Sequence, residues 1–170
     1  MIIQTERLTL REFIADDAPF VLKLVNDPDW ITYIGDRGVK TLDDAKTYIA
    51  DRLQKSYREM GFGMWLVECK QDGAPIGMCG LLKRDYLDDL DVGFALLPAF
   101  RGEGYAFEAA AATITWGKTE LNLKRILGFT LVGNEPSVKL LKKLGMQYER
   151  NFKIPNDDDD LELYGVDLSG

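Results

Sequence analysis

The chain has 170 residues, 46% of them hydrophobic, which is enough to form the core of one domain without disulfides or a structural metal. Its 28 acidic and 21 basic residues give a net charge of -7, which opposes non-specific binding to nucleic acid and anionic membranes and favours cationic substrates. Because histidine is absent, Ser-His-Asp and Cys-His mechanisms are excluded, and catalysis must use carboxylate, hydroxyl, lysine or water.

Local patterns indicate a cytoplasmic protein. No run of about eighteen apolar residues is present to span a membrane, and the chain begins with a charged, strand-like pattern instead of a signal peptide. Cys69 and Cys79 lie in strand-like apolar runs without close CxxC spacing, so we expect reduced core thiols. We predict neither nucleic-acid nor membrane partners, and the sequence leaves open whether the protein is a monomer or a homodimer.

Hydrophobic periodicity predicts strands and helices in alternation through the first half of the chain. A first helix follows Asp16 and stops at Asp27-Pro28, after which the segment 28–40 is predicted to be irregular. Thr41 opens a second helix in a capping box with an acidic residue three positions later. The predicted strands cover 7–13, 64–68, 76–83 and 91–97.

The second half of the chain completes a single α+β domain over residues 1–170. The predicted elements are helices over 106–119 and 136–144 and strands over 124–132, 146–152 and 161–166. The aspartates 157–160 are either a cation site or a solvated turn. Because consecutive carboxylates repel one another and lack EF-hand spacing, we predict a turn and no metal site.

The turn between the strand 91–97 and the following helix is suited to an anion. Gly102 and Gly104 permit a sharp turn and a close approach of the backbone, and the first N–H groups of the helix lack intrahelical partners. A tight turn without a ligand is the alternative. A Walker loop is excluded, because Ala112 replaces the glycine that must precede Gly117-Lys118-Thr119, and Phe107 replaces the third glycine of a dinucleotide fingerprint.

The motif Arg101-x-x-Gly104-x-Ala106 resembles the acetyl-CoA loop of the GNAT N-acetyltransferases. Further motifs resemble the RimJ/RimL-like branch of that family, which acetylates protein N-termini and other amines. They are Thr5 to Arg11, Asn26-Asp27-Pro28, Glu108-Ala109, Asn134 to Ser137 and Leu140 to Met146. The resemblance implies a GNAT fold, with a central mixed, mostly antiparallel sheet of about six to seven strands and about four helices.

The resemblance also implies which residues bind acetyl-CoA. The pyrophosphate would lie on backbone N–H groups, with Arg101 adding charge, and the end of the preceding strand would pair with the pantetheine. The residues implied for the loop are Arg101, Gly102, Glu103, Gly104, Tyr105 and Ala106, and those for the strand are Ala95 and Leu96. Asn134 and Ser137 would contact pantetheine and the thiol, although Asn134 can equally be a simple helix cap.

Two residues are candidate catalysts. Asp91 lies near the position of a glutamate base in many family members, and a solvated carboxylate beside Asp88 and Asp89 is the alternative. Many GNAT enzymes carry a general-acid tyrosine seven residues after the asparagine, but this chain has Leu141 there. Ser137, or a water that it orients, must therefore assist the departing thiolate.

Aromatic and acidic residues are predicted to select the acceptor amine, since they suit a cation through cation–π and charge contacts. These candidates are Trp30, Tyr33, Asp36 and Tyr86, although the first two can equally be core anchors. The sequence thus predicts an acetyl-CoA-dependent N-acetyltransferase that transfers acetyl directly, in a ternary complex, to a protein N-terminus or a small primary amine. The alternative is an acyl-CoA-binding regulatory module without catalysis.

Overall fold

The computed structural model describes residues 2–169, which contain one eight-stranded sheet. The strands are β1 (Ile3–Gln4), β2 (Leu8–Arg11), β3 (Met64–Cys69), β4 (Pro75–Leu82), β5 (Asp91–Leu96), β6 (Arg125–Leu131), β7 (Gln147–Phe152) and β8 (Leu161–Asp167). Their order in the sheet is β1-β2-β3-β4-β5-β6-β8-β7. Only the β5–β6 pair is parallel, so the predicted mixed, mostly antiparallel sheet is confirmed.

Five helices accompany the sheet within residues 2–169. They are α1 (Ala18–Val25), α2 (Pro28–Tyr33), α3 (42–60), α4 (Tyr105–Glu120) and α5 (Glu135–Lys143). The capping box predicted for α3 is present, because the Asp44 N–H donates to Thr41 Oγ1 at 3.0 Å and the Thr41 N–H donates to the Asp44 carboxylate at 3.2 Å. The middle of α3, Ile49–Gln54, is π-helical, and Gly61 ends the helix with a φ of 80°.

Apolar residues bury both faces of the sheet, because side chains alternate along each strand. Leu66 and Met78 pack with α1, α2 and α3 on one face. Trp65 and Cys79 pack with α4 on the other face. The two cores hold the helices at fixed positions around the middle of the sheet, where β5 ends.

The sheet divides beside β5. Asp91 and Leu127 form the single register pair between β5 and β6, after which the two strands separate. Strand β6 continues along β8 through seven register pairs, from Arg125↔Asp167 to Leu131↔Leu161. One edge of β5 therefore opens into a cleft between the two halves of the sheet.

Two elements differ from the sequence-based expectation. Strand β1 has only two residues, too few for an alternating pattern to predict, and it brings the sheet to eight strands instead of six or seven. The segment 28–40, predicted to be irregular, begins with helix α2, for which Pro28 occupies the first turn. No helix among the described residues is long and apolar enough to cross a membrane.

Candidate active site

A cavity of about 910 Å³ occupies the cleft beside β5. It brings together thirteen of the residues predicted for the site: Trp30, Tyr33, Tyr86, Asp91, Ala95, Leu96, Arg101, Gly102, Gly104, Tyr105, Ala106, Asn134 and Ser137. Asp36 and Glu103 do not contribute to its wall. Elements from both halves of the sheet thus converge on one space.

The open edge of β5 offers backbone groups to a ligand. The Leu97 N–H donates to the Ile76 carbonyl at 2.8 Å, and Ala95 is in register with Met78. Because backbone groups alternate between the two edges of a strand, Ala95 faces β4, whereas Phe94 and Leu96 face the cleft. The prediction that Ala95 pairs with pantetheine is therefore corrected, and the open edge consists of Phe94 and Leu96.

The turn at 101–104 has the backbone geometry of an anion-binding loop. Gly102 and Gly104 have φ values of 79° and 82°, in the left-handed region that favours glycine. The Glu108 N–H makes the first intrahelical bond, to the Gly104 carbonyl at 3.1 Å. Within residues 2–169, the N–H groups from Gly102 to Ala106 have no acceptor. These N–H groups at a helix N-terminus fit a pyrophosphate.

The Arg101 side chain does not face this loop as a free charge. Its guanidinium pairs with Asp27 at 2.9 Å and with Asp29, and it donates to the Leu96 carbonyl at 2.9 Å. The predicted charge contribution to the pyrophosphate is thus corrected, since two carboxylates already neutralise Arg101. Its side chain ties the start of α2 to the end of β5.

Asp91 is buried, which excludes the alternative of a solvated carboxylate. Only 2% of its side chain is exposed, and Arg84 holds both oxygens, with Nε at 3.0 Å from Oδ1 and Nη2 at 3.4 Å from Oδ2. Arg84 also donates to the Tyr86 hydroxyl at 3.1 Å and lies 4.8 Å from the centre of the Phe129 ring. Burial raises the pKa of the Asp91 carboxyl above its ordinary value, and the Arg84 guanidinium opposes that increase.

Sequence reasoning missed Arg84 because its partner lies on the next strand. The two residues stand seven positions apart across the loop from β4 to β5. A charged residue after a strand usually indicates a solvated loop, so no local signal distinguished Arg84. Only the pairing of Leu82 with Asp91 brings the two side chains together.

Asn134 and Ser137 line the cavity at the start of α5. Asn134 occupies the cap position, but its side chain makes no capping hydrogen bond, so the simple-cap alternative is wrong. Leu141 is 1% exposed and belongs to the core under the sheet. A residue at that position cannot reach the cavity without repacking the core, so Ser137 is the hydroxyl that α5 offers to the cavity, and Thr130 of β6 belongs to the same lining.

The residues predicted to bind the acceptor divide into two groups. Trp30 is 5% exposed and packs in the core, and its indole N–H has no acceptor among the described residues, whereas Tyr33 is 42% exposed. Asp36 lies outside the cavity, where it pairs with Lys40 at 3.2 Å and accepts from the Gly38 N–H. Asp36 thus stands apart from the other residues predicted to contact the acceptor, and its neighbour Arg37 lines the cavity.

The cysteines and acidic clusters add no further centre among residues 2–169. Cys69 and Cys79 are free and buried, and burial raises the pKa of the Cys79 thiol to about 12. No group of three or more acidic or cysteine side chains in the described chain is arranged to hold a metal ion. The cavity is thus lined by carboxylates, by hydroxyls and by one lysine, Lys143, but by neither cysteine.

Comparisons with known proteins agree with this geometry. The family described as "Acetyltransferase (GNAT) domain" matches residues 7–147. The uncharacterized N-acetyltransferase YnaD of Bacillus subtilis is 32% identical over 157 residues, covering 90% of this chain and 86% of its own. Two solved structures share the fold: RimL, a ribosomal L7/L12 α-N-protein acetyltransferase in complex with coenzyme A, and spermidine N-acetyltransferase from Vibrio cholerae with CoA and spermine.

RimL superposes with a TM-score of 0.83 at 17% identity, covering 99% of this chain and 98% of its own. The Vibrio enzyme superposes with a TM-score of 0.78 at 22% identity, covering 97% of this chain and 98% of its own. This chain belongs to the GNAT acetyltransferases, as its motifs predicted. Enzymes of this family use acetyl-CoA as the acetyl donor, and the unpartnered N–H groups at 102–106 together with the open edge of β5 fit that donor.

Proposed function

We propose that this chain transfers the acetyl group of acetyl-CoA to a primary amine, directly and within a ternary complex. The observation that carries the proposal is that a single cavity contains both the anion-binding loop at Gly102–Gly104 and the buried carboxylate of Asp91. A donor seated on the loop and an amine near Asp91 would therefore share one space, and no covalent intermediate on the protein is needed.

The donor side would use backbone groups. When bound, acetyl-CoA supplies a thioester whose carbonyl carbon accepts the amine. The N–H groups from Gly102 to Ala106 would bind the pyrophosphate. The Leu96 N–H, on the open edge of β5, is suited to donate to the thioester oxygen as negative charge develops there. The Leu96 carbonyl already accepts a hydrogen bond from Arg101, which fixes the orientation of this peptide.

Asp91 would accept the proton of the incoming ammonium, directly or through water. Primary amines with pKa values near 8 to 10 are mostly protonated at neutral pH, so a base must act before attack. Arg84 occupies one side of each carboxylate oxygen. The remaining lone pairs stay available, because an ionised carboxylate can accept about four hydrogen bonds.

Ser137 would assist the leaving thiolate at the other end of the cleft. Its hydroxyl follows the α5 cap, where the helix N-terminus also stabilises negative charge. Because position 141 is occupied by a leucine in the core, no tyrosine hydroxyl is available there, and the Ser137 hydroxyl or a water that it orients would donate the proton.

Thiol release measured against a library of amines tests the proposal. The library contains peptides with free N-termini, amino acids and diamines, and we expect acetyl-CoA-dependent release of free thiol with at least one class. Acetylated acceptor, identified by mass, must accumulate in equal amount. Tight acetyl-CoA binding without release for any amine would instead identify an acyl-CoA-binding module.

A further inference from the structure

The charged side chains of the cleft are not all paired. Arg84 and Arg101 each bind carboxylates within the cavity wall. Arg37 and Arg52 also line the cavity, and neither has a carboxylate partner among residues 2–169. Lys143, at the end of α5, also lines the cavity without such a partner, and its ammonium lies 4.3 Å from the centre of the Phe107 ring. Arg37 and Arg52 are the unpaired cations that the other wall, formed by α3 and the segment after α2, offers to the cavity.

Arg52 lines the cavity from helix α3. It shares the cavity-facing side of α3 with Tyr48 and Ser56, and its guanidinium lies 6.0 Å from the centre of the Tyr48 ring. Ser56, about one helical turn further along, donates to the Phe62 carbonyl at 2.7 Å, beside the start of β3. Arg52 therefore belongs to the wall that α3 gives the cavity, and Ser56 joins this wall to the segment before β3.

The strands that line the cavity include β5, which carries Asp91. The Met64 sulfur, at the start of β3, lies 3.3 Å from the position that a Cβ on Gly93 would occupy. Gly93 is two residues from Asp91 on β5, and the side chains of Met64 and Leu82 pack against it. Arg52, Met64 and Asp91 all line this one cavity.

Arg37 adds a second charge from the segment after α2. The neighbouring Asp36 cannot neutralise it, because that carboxylate is bound by Lys40 and by the Gly38 N–H. Asp157 and Asp159 line the cavity from the loop between β7 and β8, together with Asp91. The cavity therefore has unpaired arginines on α3 and on the segment after α2, carboxylates at β5 and the β7–β8 loop, and the Arg101-paired carboxylates of Asp27 and Asp29 at the start of α2.

We infer that the acceptor is a primary amine that also carries an anionic group, a carboxylate or a phosphate, which Arg52 and Arg37 bind while the amine faces Asp91. This inference rests on the proposed acetyl transfer. Guanidinium groups bind carboxylate and phosphate oxygens with paired, directional hydrogen bonds. A polyamine has no group that these arginines can bind, and its additional ammonium groups would have only the carboxylates of Asp157 and Asp159. The two arginines thus favour an anionic group on the acceptor, whereas the net charge of -7 favoured cationic substrates.

Matched acceptors test the inference. One series is 4-aminobutanoate, its amide and 1,4-diaminobutane. A second series is the dipeptides Ala-Asp, Ala-Asn and Ala-Lys. A third compares phosphoethanolamine with ethanolamine, which separates recognition of phosphate from recognition of carboxylate. We expect kcat/KM to be highest for the anionic member of at least one series, roughly tenfold to a hundredfold above its neutral counterpart, as for a hydrogen-bonded charge.

Arginine variants then assign the effect. Arg52→Gln is expected to remove most of this preference, because kcat/KM falls much more for the anionic acceptor than for the neutral one, and Arg52→Glu is expected to favour the diamine. Arg58→Gln, an exposed residue at the end of the same helix and outside the cavity, is the matched control and should retain the preference. The acetyl-CoA Kd should be equal in all three variants.

Each contrary result is distinct. Preference for neutral or dicationic acceptors, or an unchanged preference in Arg52→Gln, overturns the anionic acceptor but leaves acetyl transfer intact. A raised acetyl-CoA Kd in Arg52→Gln with unaltered acceptor preference assigns the arginine to the donor and also overturns it. Absence of thiol release with every acceptor refutes the proposed transfer, and the anionic acceptor with it.

Discussion

Arg7 and Glu108 join the N-terminal segment to the helix that follows the anion-binding loop. Arg7 Nε lies 2.7 Å from Glu108 Oε1, the Arg7 N–H donates to the same carboxylate at 2.9 Å, and Thr5 Oγ1 donates to it at 2.5 Å. The Arg7 guanidinium also donates to the Glu103 carbonyl within the loop and lies 4.3 Å from the centre of the Tyr105 ring. The motif at Thr5 to Arg11 and the motif at Glu108-Ala109, which both carried the family resemblance, therefore contact each other.

This contact predicts a link between the Arg7–Glu108 pair and donor affinity. Glu108→Gln should weaken acetyl-CoA binding severalfold and lower stability by about 1–2 kcal/mol, because hydrogen bonds to a charged acceptor are lost. Glu120→Gln, at the exposed end of the same helix, is the control. Calorimetric titration with acetyl-CoA and urea unfolding measure both effects; an unchanged Kd in Glu108→Gln would show that the pair serves stability alone.

The Arg7–Glu108 pair also predicts how the unfolding free energy changes at acidic pH. Burial alone would raise the pKa of Glu108, but hydrogen bonds from Thr5 and Arg7 outweigh it and hold this pKa below its ordinary value of 4.5. A carboxylate with a lowered folded-state pKa contributes stability above its unfolded pKa and loses it as the pH falls through the folded value. The unfolding free energy of the wild type should therefore decline more steeply below about pH 4.5 than that of Glu108→Gln, as urea titrations at each pH will measure.

Gly104 is expected to be required for donor binding. Its φ of 82° strains any side chain, and a Cβ would lie 3.3 Å from Arg7 Nη2. Gly104→Val should abolish the rise in melting temperature that acetyl-CoA causes. Gly73→Val, at a hairpin turn with a φ of 71° and no neighbour within 4 Å, controls for strain alone and should keep the acetyl-CoA shift. NAD stabilising the wild type as well as acetyl-CoA would contradict the assignment of the loop.

Asp91 and Arg84 are expected to control the pH dependence of the reaction. Asp91→Asn should lower kcat/KM at neutral pH and recover part of it at high pH, where more amine is neutral. Arg84→Gln removes the group that opposes the burial-induced increase in the Asp91 pKa, so the acidic limb of the kcat/KM profile should move to higher pH. Asp89→Asn, a partly exposed carboxylate two residues away, is the control.

The double variant Asp91→Asn with Arg84→Gln tests whether the two residues act as a unit. Its unfolding free energy should exceed that of Arg84→Gln alone, because no buried carboxylate is then left without a partner. If Arg84→Gln leaves the pH profile in place while lowering the melting temperature, Arg84 is a structural partner only.

Ser137 is expected to act on the chemical step. Ser137→Ala should lower kcat roughly tenfold to a thousandfold, the range for one acid-base or charge-stabilising group, with the acetyl-CoA Kd nearly constant. Leu141→Tyr should not rescue it, because position 141 lies in the core, where a Cβ on Gly128 would be 2.6 Å from Leu141 Cδ2. A loss explained by weaker acetyl-CoA binding would make Ser137 a donor contact.

Features set by short stretches of chain were predictable. The capping box of Thr41 and Asp44 and the left-handed glycines at 102 and 104 each follow from residues within a few positions. The state of Asp91 was not predictable, because its burial and its partner Arg84 depend on how β4 pairs with β5. The same holds for Arg101, whose partners Asp27 and Asp29 are 74 and 72 residues away along the chain.

The contacts of Arg101 connect the 101–104 turn to the start of α2. One guanidinium holds the carbonyl of Leu96 on β5 and the carboxylates of Asp27, just before α2, and Asp29, in its first turn. Trp30 and Tyr33, the residues of α2 predicted to contact the acceptor, line the same cavity. If a pyrophosphate on the turn shifts Arg101, we expect the affinities for donor and acceptor to be linked, and each ligand would then change the affinity for the other by the same factor.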